Sequence, residues 1–324
     1  MIYCHFFQSI KKVPEPNCFW RNDDIDEKEI DSGTLCSLAM RIYLDSKDHI
    51  VLAESFSTAE TDAFEAVLHR GSHQLIFSMH NIMECCAPII QSTNRNSVMR
   101  ILNRLESMPH MYVAEAKIPA IELMEAVKAF SEGREYSVVN PFVARFDEVI
   151  SPFSRPATHD YIRYGLAHTI FELWQEDPEL FQPYIAESRQ LETIRTSDRS
   201  RSDYQQHDHN FSNTVARDLR LYNIAFAQES VNDLAAWIWA SPSRCPALRL
   251  GYEVFHKIVR NVTDSGEESD IPDFAHVDCI PYVDVITLDR RMRGYIGQAD
   301  RSMGTAYSQK LFADVNGVQT AIQN

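Results

Sequence analysis

Asp270, Asp273, Asp278, Asp284 and Asp289 crowd the stretch 270-DIPDFAHVDCIPYVDVITLDRRM-292, around an apolar run with the character of core. A solvated face accounts for one or two of them; a carboxylate at the end of a buried strand needs another reason. Asp289 closes the last apolar run, and Asp45 closes 40-MRIYLD-45 in the same way. Glu84 lies within two helical turns of the end of 74-QLIFS-78, and Asp273 opens the helix before the final strand. Beyond the carboxyl ends of a parallel sheet, such positions point into one crevice. Carboxylates packed that closely cannot all stay ionised without a cation between them. A cage of Asp and Glu alone suits hard divalent ions, magnesium or manganese, one or two of them. Such ions activate a water and stabilise a leaving oxygen. The chemistry that fits is metal-assisted hydrolysis of a phosphodiester.

The elements around these acids repeat one order: strand, acid, helix. Short apolar runs at 40–45, 74–78, 111–114 and before Asp289 predict strands. Helical spacing covers 48–56, 60–71, 79–90, 96–108, 118–130 and 246–261. Between 131 and 245 the character changes. Pro141, Pro152 and Pro156 punctuate a loop, and helical patterns follow at 159–175, 178–194 and 211–240 around a polar loop at 195–210. The expected fold class is α/β, a central parallel sheet with a helical insertion. The parts are an N-terminal extension over 1–39, a core over 40–130 and 246–292, the insertion over 131–245, and a weakly patterned tail over 293–324 that packs outside.

The chain has 324 residues, 44% hydrophobic and 24% charged, enough for one elaborated domain or two ordinary ones. Its apolar runs fall short of the roughly 20 residues that cross a bilayer, and the N-terminus lacks the pattern of a signal peptide. Seven cysteines without a Cys-x-x-Cys motif suit reduced thiols in a cytoplasm rather than a disulfide framework. The formal net charge of −15 argues against loose binding to nucleic acid, which needs Lys and Arg. A carboxylate cage brings part of that charge itself, and bound divalent cations offset it.

Three stretches carry a family likeness. 43-YLDSKDHIVLAES-55 resembles the opening motif of a subgroup of PIN-like nucleases, YLD-x-x-x-W-I-x-L-A, with His49 where an aromatic is usual. 75-LIFSMHNIMEC-85 resembles the second motif, a strand ending in Ser and a helix bearing Glu. 269-SDIPDFAHVDCIPYVDVITLDRRM-292 is similar to the third and fourth, SD-x-x-D-x-x-H…PY-x-D-x-x-x-T-x-D-R. The likeness covers about 40–55, 73–108 and 246–292, in that order. It implies a PIN-like three-layer α/β/α sandwich and a metal-dependent endoribonuclease, with RNA favoured over DNA. Asp45, Glu84, Asp273 and Asp289 are then the metal ligands. Ser78 and Thr287 orient neighbouring carboxylates, Asp270 or Asp284 is an additional ligand or water-positioning acid, and His276 faces the same crevice. Arg290 and Arg291 meet a substrate phosphate. Toxin, defence effector and RNA-processing enzyme all suit such a site, and the insertion is free to bind a protein partner or close a homo-oligomer.

Plainer readings stand beside these. Asp45 could cap a helix, Glu84 could be a solvated helix residue, Asp273 a helix-dipole acid and Asp289 a turn residue. The order of the motifs counts against all four being true together. Asp278 falls on a different helix face and has no counterpart in the pattern, and His276 suits packing better than service as a catalytic base. Trp237, Trp239 and Phe226 suit the core of the insertion. Arg195, Arg199 and Arg201 could contact a nucleic-acid backbone, but Asp198 and Asp203 make the loop a solvated one. Two rivals remain. His159-Asp160 and His207-Asp208-His209 invite an HD-type metallohydrolase, which needs an earlier His and a later Asp. A nuclease-like fold kept only for binding or assembly is the other, against which the intact acids count.

Overall fold

The structure is a computed structural model; residues 39–86, 95–114, 118–149, 165–170, 207–261 and 270–323 are described. Its frame is a sheet of six strands: β1 (Arg41–Tyr43), β2 (Gln74–Phe77), β3 (His110–Val113), β4 (Phe142–Val143), β5 (Val285–Thr287) and β6 (Leu311–Phe312). They lie in the order β4-β3-β2-β1-β5-β6, all parallel except the β3–β4 pair. The chain builds outward from β1 through β2 and β3, then returns to add β5 and β6 on the other side. The order reverses between β1 and β5, and at such a switch point a crevice opens beyond the strand ends.

Side chains alternate along each strand, so the sheet is buried on both faces. Ile42, Leu44, Leu75, Phe77, Tyr112 and Val285 point into one core with the helices Thr58–Arg70, Met79–Cys85, Arg95–Glu106 and Val315–Gln323. Tyr43, Ile76, Val113 and Ile286 point into a second core with the helices Pro246–Arg260 and Arg290–Met303. The fold is thus α/β with helices on both faces of a mostly parallel sheet. A third cluster joins Leu123 and Ala126 to Phe211, Val215, Leu234, Ile238, Leu248 and Tyr252. The Pro246–Arg260 helix belongs to both: Ala247, Leu250, Val254 and Ile258 face the sheet, and Leu248 and Tyr252 face the third cluster.

Local signals explain several ends. Ser57 and Glu60 form a reciprocal capping box that starts the Thr58–Arg70 helix. Pro246 sits in the first turn of its helix. Gly304, at φ 69°, takes the left-handed position that ends the Arg290–Met303 helix.

The region 131–245 differs from the expected separate insertion. Phe142–Val143 adds an antiparallel edge strand to the sheet, and Leu166, Ala167 and Ile170 join the first core. The expected helix over 211–240 is two helices, His207–Leu221 and Val231–Trp239, parted by Asn223 at φ 54° and a 3-10 turn at Gln228–Ser230. Phe226, Trp237 and Trp239 pack against the third cluster. The tail is corrected more strongly. Residues 290–323 form a helix, an edge strand and a second helix, with Met292, Tyr295, Ile296, Ala299, Val315 and Val318 buried in the two sheet cores. Residues 1–38 of the 1–39 extension and the pattern at 178–194 lie outside the described residues.

Candidate active site and metal centre

The switch point places Asp45 and Asp289 side by side. Each lies two residues past the end of a parallel strand, and the two strands are neighbours, with Tyr43 opposite Ile286. Thr287 bridges the gap, its Oγ1 accepting the Asp45 N–H at 2.7 Å. Both acids also cap helices, so the plainer reading of Asp45 is true as well, while Asp289 is a helix cap rather than a turn residue. Asp45 Oδ1 accepts the Lys47 N–H at 3.0 Å, and Asp289 Oδ1 accepts the Met292 N–H at 2.6 Å. Capping holds each carboxylate at the mouth of the crevice instead of letting it swing into solvent.

Glu84 arrives from the Met79–Cys85 helix, one turn after His80. His80 Nε2 is 3.4 Å from Glu84 Oε1, and His276 Nε2 is 3.3 Å from Glu84 Oε2. Ser46 Oγ donates a short hydrogen bond to Glu84 Oε2. Burial alone would raise the Glu84 carboxyl, but the two imidazoles outweigh it and hold the group well below the usual carboxylate range. The His80 and His276 rings meet edge-on with centroids 4.5 Å apart. One ligand atom from each of His80, Glu84 and His276 lies within 4.8 Å of the others.

Asp273 comes from the short helix Asp270–Ala275 and completes the group. Burial pushes its carboxyl up, and the negative charges of Asp289, Asp45 and Glu84 push further, against His276, to about 7. The charges of all three other acids therefore reach Asp273 from separate segments, but among the described residues the ligand atoms that come within 4.8 Å of one another are those of His80, Glu84 and His276. Lys47 stands beside Asp45 with Nζ 3.3 Å from Asp45 Oδ2. Burial lowers its ammonium pKa, but Asp45, Asp48 and Asp289 more than reverse that and raise it.

A buried neighbour was not anticipated. Asp48 is 3% exposed, and its Oδ1 accepts the Val315 N–H at 3.2 Å, tying the last helix to the first strand's end. Burial pushes its carboxyl up, Thr287 and Val315 pull it back, and Asp45 adds repulsion. Tyr43 and His80 were also missed. The i,i+4 spacing of His80 and Glu84 on one helix was the available signal for His80. Tyr43 opens the YLD stretch, but nothing in that motif assigns its hydroxyl a role.

The remaining expected residues divide. Thr287 Oγ1 holds the Asp45 backbone N–H rather than its carboxylate, and the carboxylate it acts on is that of Asp48. Among the described contacts Ser78 meets no carboxylate; its Oγ meets Tyr43 Oη at 2.7 Å and the Asn81 side chain, so it reaches Glu84 through Tyr43 and His276 and through Asn81 and Ser46. Asp284 is a correction. It precedes β5, at the opposite end of the strand from Asp289, where Oδ2 accepts the Arg41 N–H at 2.8 Å, and it cannot join the pocket. Asp270 begins its helix one turn before Asp273, but its side chain lies outside the described residues. Arg290 is exposed and Arg291 half-buried in the turn that Asp289 caps. His276 is packed and also faces Glu84: it is 1% exposed, with Nδ1 2.6 Å from Tyr43 Oη and Nε2 3.3 Å from Glu84 Oε2. Asp278 lies toward Gly251 and Glu122, away from the acids. His49 takes the place of the usual aromatic as a neutral ring, packed 5.0 Å from Phe77, with burial and then His276 lowering its pKa to about 3. His159, Asp160, Arg195, Arg199 and Arg201 lie outside the described residues, as do the side chains of His207, Asp208 and His209.

Among the described residues, no helix is long and apolar enough to cross a membrane. No protein family, curated protein or solved structure matches the chain.

Proposed function

We propose that the chain is a PIN-like, cation-dependent nuclease of the cytoplasm that hydrolyses RNA phosphodiesters. One observation carries the reading: Asp45, Glu84 and Asp289, drawn from distant parts of the sequence, lie close enough to Asp273 to add to the effect of its burial, and together these raise its carboxyl to about 7. A pocket that strains to ionise its own carboxyl suits a positive ion. These four acids would hold one or two magnesium or manganese ions, and the ion supplies charge for an attacking water and for the leaving oxygen.

The chain's own residues do the positioning. Thr287 and the two helix caps fix Asp45 and Asp289, so the cage is held before any ligand enters. Ser46 holds Glu84 from the opposite wall. Lys47 neutralises part of the pocket's charge and is half-exposed, so it can move aside. Arg290 and Arg291 flank Asp289, where a guanidinium suits a substrate phosphate.

The test incubates the purified full chain with end-labelled RNA and DNA, with Mg2+, Mn2+ or a chelator. RNA is cut only with a divalent ion. Asp45→Asn and Asp289→Asn keep the helix caps, because Asn caps as well as Asp, and so keep the fold. Loss of several kcal/mol of charge stabilisation lowers their cleavage by on the order of 1,000-fold. Wild-type cleavage by both variants sinks the assignment, and cleavage of DNA alone moves it to another substrate.

A further inference from the structure

The proton positions beside Glu84 can be assigned from hydrogen-bond partners alone. Asn81 Nδ2 faces the Leu44 carbonyl at 3.0 Å, which can only accept, and Asn81 Oδ1 faces the Ser78 N–H at 3.2 Å, which can only donate. The amide orientation is therefore set. The Ser78 hydroxyl donates to that Oδ1 at 3.1 Å, which spends its only proton. At 2.7 Å, Ser78 Oγ must then accept from the Tyr43 hydroxyl. Tyr43 has now spent its proton too, so at 2.6 Å its oxygen must accept from His276 Nδ1–H. In the neutral ring, His276 Nε2 carries a lone pair.

That lone pair faces a carboxylate. Glu84 Oε2 lies 3.3 Å from Nε2, without hydrogen-bond geometry, in a wall that is buried. Two lone pairs at that distance repel unless a positive charge, a proton on Nε2 or a metal ion in its place, sits between them. His80 Nε2, from the next turn of Glu84's own helix, closes the third side. We infer that His80, Glu84 and His276 form a mixed imidazole–carboxylate seat for a divalent first-row transition ion, beside the acid cage and sharing Glu84 with it. Two ring nitrogens and one carboxylate suit manganese, iron or zinc and discriminate against magnesium, which prefers oxygen and keeps its waters. The Tyr43–Ser78–Asn81 chain positions His276, as outer-shell partners of ligating histidines do.

The inference goes beyond nuclease activity and does not need it. The test uses the full chain stripped of metal, with Mn2+ and Mg2+ as probes. Pulsed electron paramagnetic resonance of bound Mn2+ shows nitrogen-14 coupling from the rings, and calorimetry gives Mn2+ an affinity at least ~10-fold above that of Mg2+. His80→Ala weakens Mn2+ binding by about 10-fold or more and diminishes the coupling, while Mg2+ binding shifts by less than about threefold. Absence of Mn2+ binding, bound Mn2+ without nitrogen coupling, or unchanged Mn2+ affinity in His80→Ala overturns the seat. Nitrogen coupling in a chain that cuts no nucleic acid removes the nuclease reading alone. Mg2+-supported cleavage by a chain without nitrogen coupling removes the seat alone.

Discussion

At the scale of single side chains, the pocket depends on a hydroxyl to which the YLD motif assigns no role. Tyr43 is fully buried, and its oxygen is the only acceptor in reach that fixes His276 Nδ1–H among the described contacts. Tyr43→Phe keeps the ring that packs against the second core and removes that acceptor. A buried donor left without a partner costs about 1–3 kcal/mol, so urea unfolding of the variant shows a loss of that size. Mn2+ affinity falls with it, because the ring is freed to turn its lone pair away from Glu84. A variant as stable as the parent, with parental Mn2+ affinity, contradicts the proton assignment. The acids themselves were legible, because a charged residue closing an apolar run is conspicuous in one dimension. Tyr43 was not, because an aromatic in a strand looks like packing whether or not its hydroxyl works. His80 hid differently: its partner Glu84 is one turn away, but His276 is 196 positions along the chain.

At the scale of elements, the Pro246–Arg260 helix shows how one segment depends on another. Its N-cap, Cys245, is left-handed at φ 50° and makes no side-chain cap; its Sγ instead donates to the Glu122 carbonyl. Glu122, from the Ile118–Glu132 helix, supplies the cap instead: its carboxyl accepts the Ala247 and Leu248 N–H groups at 2.7 and 2.9 Å and meets Tyr282 Oη at 2.5 Å. Burial drives the Glu122 pKa up, the hydrogen bonds pull it partly back, and it settles at about 8. The folded state thus keeps a proton that the unfolded chain releases above about 4.5. The stability this contributes is complete below pH 4.5 and is lost as pH rises through 8, a change on the order of a few kcal/mol. Glu122→Gln mimics the neutral form but turns an amide N–H toward a backbone donor, so it is less stable than wild type at pH 5. That gap narrows by pH 9, where the wild type must ionise a buried carboxyl. Urea unfolding at pH 5, 7 and 9 checks this; a constant or widening gap refutes it. Strands β1, β2, β3 and β5 and most helices of the core could be read from period and punctuation. The cap from Glu122 could not, since it joins positions 125 apart, and neither could the break at Asn223 inside an unbroken apolar rhythm.

At the scale of the whole molecule, the end of the chain closes both the sheet and the pocket. The weak patterning of 293–324 comes from β6, two half-buried residues, and from a last helix whose inward face is only Val315, Val318 and Ile322. Those three spaced residues nonetheless pack in the first core with Phe64, Val67 and Val285. Val315 N–H reaches Asp48, so the last helix also fixes the turn that carries Asp45. β6 covers β5 in parallel register, Ile286 opposite Leu311 and Thr287 opposite Phe312, immediately before Asp289. A chain ending at Gly304 loses three buried aliphatic side chains, each worth about 1.5–3 kcal/mol. It also leaves β5 as an unpaired edge and Asp48 without its backbone donor. Set against a total stability of about 5–15 kcal/mol for a typical domain, that loss removes most of the margin. The truncated chain is therefore expected to lose its sharp near-ultraviolet dichroism and cooperative melting while keeping much of its helical signal, and to be cut rapidly by trypsin near Arg290–Arg293. A cooperative melt within a few degrees of the full chain would mean that the two last elements only decorate the fold, and that Asp45 is held without them.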